Sequence, residues 1–227
     1  MNYTRVLTIY FNQEIAPFEI PLFRGAILHV LGHQADTAFH NHIGEGFNYK
    51  YPLIQYKRLH KKAAIVCINE GADVIGQLLS KGGLTLTLGE RIIDLSIEKV
   101  VPQRITTQIW DSMFKYHLRR WLPLNSENYK IYRNLETEIE RIQLLERLLT
   151  ANLISFLKGI GIWIEQKLEC HITTLSPPYL LKNKDIRLTA FDLEFKSNLS
   201  LPHAIGIGKN ASIGFGIIAP FNPSNPL

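Results

Sequence analysis

Residues 206–216 have the sequence Gly206-Ile-Gly208-Lys-Asn-Ala-Ser-Ile-Gly214-Phe-Gly216, and this segment decides how the second half of the chain is interpreted. Two Gly-hydrophobic-Gly pairs bracket five residues that include Lys209. Glycine permits positive φ, and successive N–H groups in such a loop form a concavity for an anion. The spacing differs from that of a dinucleotide-binding turn and from that of a P-loop. The segment therefore predicts either a glycine-rich β-turn or a phosphate-binding loop, whose candidate residues are Gly206, Gly208, Lys209, Gly214 and Gly216.

The composition is that of a folded protein with a sizeable core. The chain has 227 residues, of which 46% are hydrophobic, enough for one large domain or two small ones. Cys67 and Cys170 lie far apart in apolar runs and predict buried thiols in a reducing compartment. No apolar run has transmembrane length, and the N-terminus is unlike a signal peptide, so we expect a cytoplasmic protein without membrane contact. A net charge of +5 favours an anionic partner.

Hydrophobic periodicity in the first half predicts a βαββαβ order. Alternation over 6–11 indicates a strand, and apolar residues from Phe23 to Leu31 follow the helical spacing between Pro21 and Gly32. Two β-rich runs at 51–58 and 62–69 predict a hairpin. A second helix at 72–79 and a final strand or hairpin at 84–97 complete the ferredoxin-like arrangement.

The second half repeats this scheme with one change. We predict a strand around 114–118, a helix at Leu135–Lys158, and strands at Ile162–Ile172 and Ile186–Lys196. No second helix follows, and the glycine-rich segment stands in its place before a short strand at Phe215–Ala219. The predicted fold is α+β, with two tandem ferredoxin-like (RRM-like) βαββαβ halves. Pro102 marks the joint, so the expected domains are residues 1–102 and 103–227.

His40-Asn41-His42 is the candidate catalytic segment. In an extended chain the two imidazoles point to the same side, and imidazoles titrate near neutral pH. They can therefore serve as general base and general acid, with Tyr49 placed to donate a hydrogen bond to a reacting oxygen. Such a group without carboxylates suits metal-free RNA cleavage, in which the 2′-hydroxyl is the nucleophile. The alternative is a polar loop with two surface histidines.

Basic residues cluster at two further places. Lys57, Arg58, His60, Lys61 and Lys62 are predicted to form the hairpin turn, either as a phosphate grip or as an ordinary solvated turn. Lys115, His117, Arg119 and Arg120 predict a basic strand face that either contacts RNA or is simply exposed to water. His29 and His33 have a zinc-compatible spacing on the first helix without a third ligand, so we expect no metal site and no cofactor.

With these motifs the chain resembles the CRISPR-associated repeat endoribonucleases, the Cas-Six family. Gly206, Gly208, Gly214 and Gly216 match the family's loop pattern. The b-type branch of that family is similar to this chain in its N-terminal stretches, which are 23–26, His40-Asn41-His42, 51–57 and 68–71.

The resemblance implies cleavage of CRISPR repeat RNA in the precursor transcript to give mature guide RNAs. It implies a metal-independent reaction that leaves a 2′,3′-cyclic phosphate and a 5′-hydroxyl. His40, His42 and Tyr49 correspond to the acid/base site, and the glycine loop corresponds to an RNA contact, to which we add Lys57, Arg58, Lys115 and Arg119. A catalytic lysine found in many relatives has no obvious match, with Lys50 only a candidate. Other CRISPR surveillance complex subunits are further expected partners, and the chain is expected to be a monomer or a homodimer.

Two alternatives remain at this point. The chain is also compatible with a non-catalytic RNA-binding subunit of a CRISPR surveillance complex, although such a subunit has no need of His40 and His42. A ferredoxin-like module that binds a small regulatory ligand explains neither the basic residues nor the glycine loop well.

Overall fold

The computed structural model describes residues 3–32, 37–40, 51–183 and 186–221. The chain divides into two compact units. The N unit comprises Tyr3–Thr106 together with Ser212–Gly214, and the C unit comprises Thr107–Ala211 and residues 215–221. Three residues of the glycine-rich segment therefore belong to the unit that is far from them in sequence.

The N unit contains a four-stranded antiparallel sheet and a separate hairpin. Its strands are β1 (Tyr3–Glu14), β2 (Ile54–Leu59), β3 (Lys62–Ile68), β4 (Leu84–Leu88), β5 (Arg91–Leu95) and β6 (Ile97–Thr106). Its helices are α1 (Ile20–Leu31), α2 (Thr37–His40), α3 (Glu70–Val74) and α4 (Gly76–Leu79). The sheet order is β2-β3-β1-β6, which is the ferredoxin-like order, and β4 pairs with β5.

Helix α1 follows its sequence signals. Pro21 lies in the first turn of the helix. Gly32 ends the helix with φ 68°, and its N–H donates a hydrogen bond to Leu28 O. The buried stripe of Ile20, Phe23, Ile27 and Leu31 belongs to the core of the N unit. The predicted second helix is two short helices instead, with Gly76 beginning the second.

The last sheet strand differs from the prediction. Residues 84–95 form the β4–β5 hairpin, whose alternate leucines are buried in the N unit core, and β6 is the fourth strand. Pro102, which we predicted to mark the joint, lies within β6 opposite Leu7. An edge strand such as β6 tolerates proline, because the missing N–H removes no bond to a further strand. The two units divide instead between Thr106 and Thr107.

The C unit repeats the strand order with longer helices. Its elements are β7 (Ile109–Trp121), α5 (Ser126–Asn134), α6 (Glu138–Gly159), β8 (Cys170–Leu175), β9 (Tyr179–Asn183), β10 (Ile186–Leu199) and β11 (Ile217–Pro220). The sheet order is β11-β7-β10-β8, and β9 pairs with β10. Helix α5 was not predicted, and β8 is shorter than predicted. The segment between β10 and β11 contains one 3-10 turn, at Ala211–Ile213.

The two faces of the C unit sheet differ in chemistry. On one face Phe191, Leu193 and Phe195 of β10 are fully buried. On the other face, Glu194 of β10 lies opposite His117 of β7. Both cysteines are buried and free of disulfides, which confirms the predicted thiols. Within the ranges given above, no helix is long and apolar enough to cross a membrane.

Candidate nucleic-acid interface

The glycine-rich segment is closed by backbone hydrogen bonds between its two ends. Ile207 N donates to Gly216 O at 2.8 Å, and Ile218 N donates to Ile205 O at 2.8 Å. Gly206 forms an isolated bridge with Ile217. These hydrogen bonds close residues 206–216 into a loop, which we call the glycine loop.

Three of the glycines have stereochemical reasons to be glycine. Gly208, Gly214 and Gly216 have φ of 77°, 83° and 60°, a region that disfavours other residues. A Cβ on Gly208 would lie 2.5 Å from Asn152 Oδ1, and one on Gly214 would lie 2.7 Å from Ile20 Cδ1. A Cβ on Gly216 would overlap the carbonyl of Ile207. Packing within the protein thus accounts for these glycines without a ligand.

The polar groups of the glycine-rich segment differ in whether they are free to bind a ligand. The Gly216 amide donates to Arg120 O at 3.0 Å, so it is used within the protein. Lys209, by contrast, is exposed, and it lies next to Asn210, whose φ is 60°. Lys209 is therefore the residue of this segment best placed to meet an anion from solvent.

Arg120, which we predicted only as part of a basic strand face, lies where β7 meets the glycine loop. Its φ of 55° interrupts the pairing of β7 with β10, and its N–H donates to Asp192 Oδ1 at 2.6 Å. Its guanidinium lies 4.9 Å from the ring centroid of Phe215. Tyr179 Oη also donates to Asp192 Oδ1, at 2.8 Å. The pKa of Tyr179 is raised, mainly by burial and to a lesser extent by the Asp192 carboxylate. A cation thus lies against the aromatic residue of the loop.

The predicted basic face of β7 is only partly basic. Lys115 Nζ lies 2.9 Å from Glu194 Oε2, and this hydrogen bond lowers the pKa of the Glu194 carboxyl. His117 is 1% exposed, and its Nε2 lies 3.6 Å from Glu194 Oε1. Burial lowers the pKa of His117, although the negative charge of Glu194 acts in the opposite direction. Arg119 is exposed on this face. Glu194 was missed because its position opposite β7 depends on the strand register.

The basic hairpin of the N unit also divides into exposed and buried groups. The turn consists of His60 and Lys61, both with positive φ (49° and 68°), and Lys62 forms an ion pair with Glu98. Lys57 lies in β2 and not in the turn as predicted; it is fully buried, and burial lowers its pKa to about 7. Arg58 Nε donates to Ile15 O at 2.6 Å, which ties β2 to the end of β1.

The predicted catalytic residues lie at or beyond the edge of the described chain. His40 is the last residue of α2. His42 and Tyr49 lie outside the described residues, as does Lys50. In the ranges that the structure describes, no group of three or more His, Cys, Asp or Glu side chains is arranged to hold a metal ion.

Comparisons with known proteins assign this chain to a family. Residues 2–106 match the model of the Cas6b N-terminal domain, and residues 108–221 match that of the Cas6b C-terminal domain. An uncharacterised protein of Methanocaldococcus jannaschii is 31% identical over 109 residues, which are 48% of this chain and 73% of the relative.

Solved structures agree with the family models. A Cas6b crystal structure has a TM-score of 0.87 and 27% identity, covering 97% of this chain and 100% of that structure. A CRISPR RNA processing endoribonuclease, also a Cas6b, has a TM-score of 0.73 and 25% identity, with 96% and 98% covered. The boundary at 106–108 in the family models coincides with the division of the two units. The chain is a member of the Cas6b family, with the two-domain, tandem ferredoxin-like α+β fold of Cas6 proteins.

Proposed function

We propose that this chain is an endoribonuclease that processes CRISPR RNA by cutting within the repeat. The observation that supports this most strongly is that Cas6b domain models match both halves in order, with one residue between them. The similar structure of a CRISPR RNA processing endoribonuclease extends over 96% of this chain. CRISPR repeat RNA is accordingly the proposed substrate.

In the proposed reaction only protons are transferred by the protein. The 2′-oxygen at the cut site attacks the adjacent phosphorus, and the bond from phosphorus to the 5′-oxygen breaks. One of His40 and His42 takes the 2′-hydroxyl proton, and the other protonates the leaving 5′-oxygen. Tyr49 donates a hydrogen bond to the phosphate. The products are a 2′,3′-cyclic phosphate and a 5′-hydroxyl, and the reaction needs no metal ion.

We propose that the glycine loop, in the place of the second helix of its ferredoxin-like half, binds the RNA backbone. Lys209 is exposed on this loop, and Arg120 lies against its Phe215. A positive charge beside a tight backbone loop suits phosphate oxygens. Arg119 is an exposed cation of the same unit. Lys57, being buried, and Lys115, being paired with Glu194, are less suited to contact the RNA phosphates than the sequence suggested.

The direct test is the double substitution His40→Ala with His42→Ala, assayed on CRISPR repeat RNA. A positioned acid/base contributes about 10²–10⁴-fold to the rate, so we expect cleavage to be abolished while RNA binding persists. His171→Ala, which removes an exposed histidine of β8, is the matched control. Cleavage by the double variant at the unaltered rate would contradict the assignment.

Two further experiments identify the class of reaction. Cleavage should continue in excess EDTA, and an RNA with one 2′-deoxy sugar at the cut site should bind without being cut. Loss of cleavage on chelation would favour a metal-dependent nuclease. Repeat binding without any cleavage by the unaltered chain would favour a non-catalytic RNA-binding subunit.

A further inference from the structure

Phe221, directly after β11, covers the polar face of the C unit sheet. Its ring centroid lies 5.2 Å from that of His117, with the two planes inclined by 30°. Lys115 Nζ lies 3.5 Å from the same ring centroid. An aromatic ring thus lies against a tilted imidazole and an ammonium group, two partners that bind any flat π-system.

The polar groups beneath the Phe221 ring include some that have no hydrogen-bond partner in the part of the chain that the structure describes. His117 is 1% exposed, and neither of its ring nitrogens has a hydrogen-bond partner among the described residues. Glu194 is 3% exposed and lies between Lys115, at 2.9 Å, and His117, at 3.6 Å. Thr174 Oγ1 donates to Glu194 Oε2 at 3.2 Å. Burying an imidazole whose nitrogens make no hydrogen bond is costly, and Glu194 at 3.6 Å is too distant to provide one.

The attachment of Phe221 to the fold is slight. It follows the four-residue edge strand β11, in which Ala219 lies opposite His117 and Pro220 lies opposite Tyr116. Pro220 has no N–H to donate to the ladder, so the pairing ends there. Ala219 has a small side chain, and the ring of Phe221, two residues further along, lies against His117.

We propose that Lys115, His117 and Glu194 form a nucleobase-binding site, and that Phe221 occupies the position of the base in the RNA-free protein. A base stacked on His117 would present edge groups that Phe221 lacks. An exocyclic amino group of the base can donate to Glu194, and a ring nitrogen or carbonyl oxygen of the base can accept from Lys115. This inference rests on the proposed RNA substrate, and it adds recognition of a base by the polar face of the C unit sheet.

Single-stranded probes with and without bases test this site on the full-length chain. The probes are a fluorescein-labelled RNA of twelve adenylates and a strand of twelve abasic ribose phosphates with the same label. Phe221→Ala removes the competing ring, so it should tighten adenylate binding by about 5-fold or more and leave abasic binding unchanged. Trp163→Ala is the control, because it removes an exposed aromatic ring that also lies beside a lysine, Lys158, and it should change neither affinity.

A second substitution identifies the partner of the base. Adding His117→Ala or, as a shape-conserving variant, Glu194→Gln to Phe221→Ala should cancel the gain for the adenylate strand only. An equal gain for both probes, or no gain together with a lower melting temperature, would show that Phe221 is only a structural cover and would overturn the proposal. Cleavage of repeat RNA by the unaltered chain is scored separately, so failure of the base site and failure of the endoribonuclease proposal give different results.

Discussion

At the residue scale, the glycine loop shows that a motif can have two independent reasons for its composition. Gly208, Gly214 and Gly216 each combine a positive φ with a neighbour that excludes a Cβ. The exposed Lys209 has no such steric role, since its side chain is directed to solvent. Substitutions in the same loop should therefore separate stability from RNA binding.

Gly216→Ala should lower the free energy of unfolding by about 2–5 kcal/mol, because a positive φ and overlap with the Ile207 carbonyl act together. Gly161→Ala is the matched control, with φ 74° and no atom within 4 Å of the added Cβ. It should cost about 1–2 kcal/mol. Equilibrium urea unfolding followed by circular dichroism measures both, and equal losses would mean that the overlap relaxes freely.

Lys57 should make stability depend on pH in a defined direction. Its folded pKa is lowered to about 7 by burial, below the usual 10.5, so between these values the unfolded chain binds more protons. The free energy of unfolding should therefore rise with pH above 7, by up to about 1.4 kcal/mol per unit. Lys57→Met should remove this rise. Urea unfolding of both proteins between pH 7 and 8.5 measures the contribution of Lys57 to this pH dependence. Parallel pH profiles for the two proteins would contradict the prediction.

At the element scale, strongly periodic segments were predicted and weakly periodic ones were not. Helix α1, helix α6 and the β2–β3 hairpin match their apolar patterns. Helix α5 was missed because none of its residues is fully buried, and β6 because it is an exposed edge strand with little alternation. The predicted strand or hairpin at 84–97 is a hairpin, but it forms a sheet of its own, and the fourth strand of the main sheet is β6.

The same limit applies to the candidate site. The glycine segment and the exposure of Lys209 and Arg119 follow from local pattern. The placement of Glu194 against Lys115, and of Asp192 against Arg120, depends on pairing between strands more than 70 residues apart. Burial of Lys57 depends likewise on how its sheet is covered, which no local pattern in β2 shows.

The start of helix α6 offers a test at this scale. Thr137 Oγ1 accepts from the Glu140 N–H at 3.2 Å, and Glu140 Oε2 accepts from the Thr137 N–H at 3.0 Å, a reciprocal capping box. Thr137→Ala should cost about 0.5–2 kcal/mol of stability, whereas Thr137→Ser should retain most of it. Thermal and urea unfolding of the three proteins provide the measurement; similar losses for Ala and Ser would show that the hydroxyl contributes little.

At the scale of the whole molecule, the two units are not simple consecutive segments. Ile213 packs against the core of the N unit, although Ile207 of the same segment is buried in the C unit. Membership of a unit is thus decided by contacts and not by position in the chain. The consequence can be measured with two isoleucines that are six residues apart.

Ile213→Ala should speed amide hydrogen exchange in β1, β2 and α1, because it removes an apolar contact worth about 1–2 kcal/mol from the N unit. Ile207→Ala, the paired control, should instead speed exchange in β7 and β11. Mass-spectrometric exchange resolves the two patterns. Increased exchange in β7 and β11 for both variants would contradict the assignment of Ser212–Gly214 to the N unit.

The membership of Ser212–Gly214 in the N unit also sets an order of events on the ribosome. Translation at about 5–20 residues per second places these residues roughly 5–20 s after Thr106. During that interval the nascent N unit lacks Ile213 and the backbone of Gly214 against Ile20. Residues 3–106 therefore reach their final packing only after residues 107–211, which separate them from Ser212–Gly214, have been synthesised.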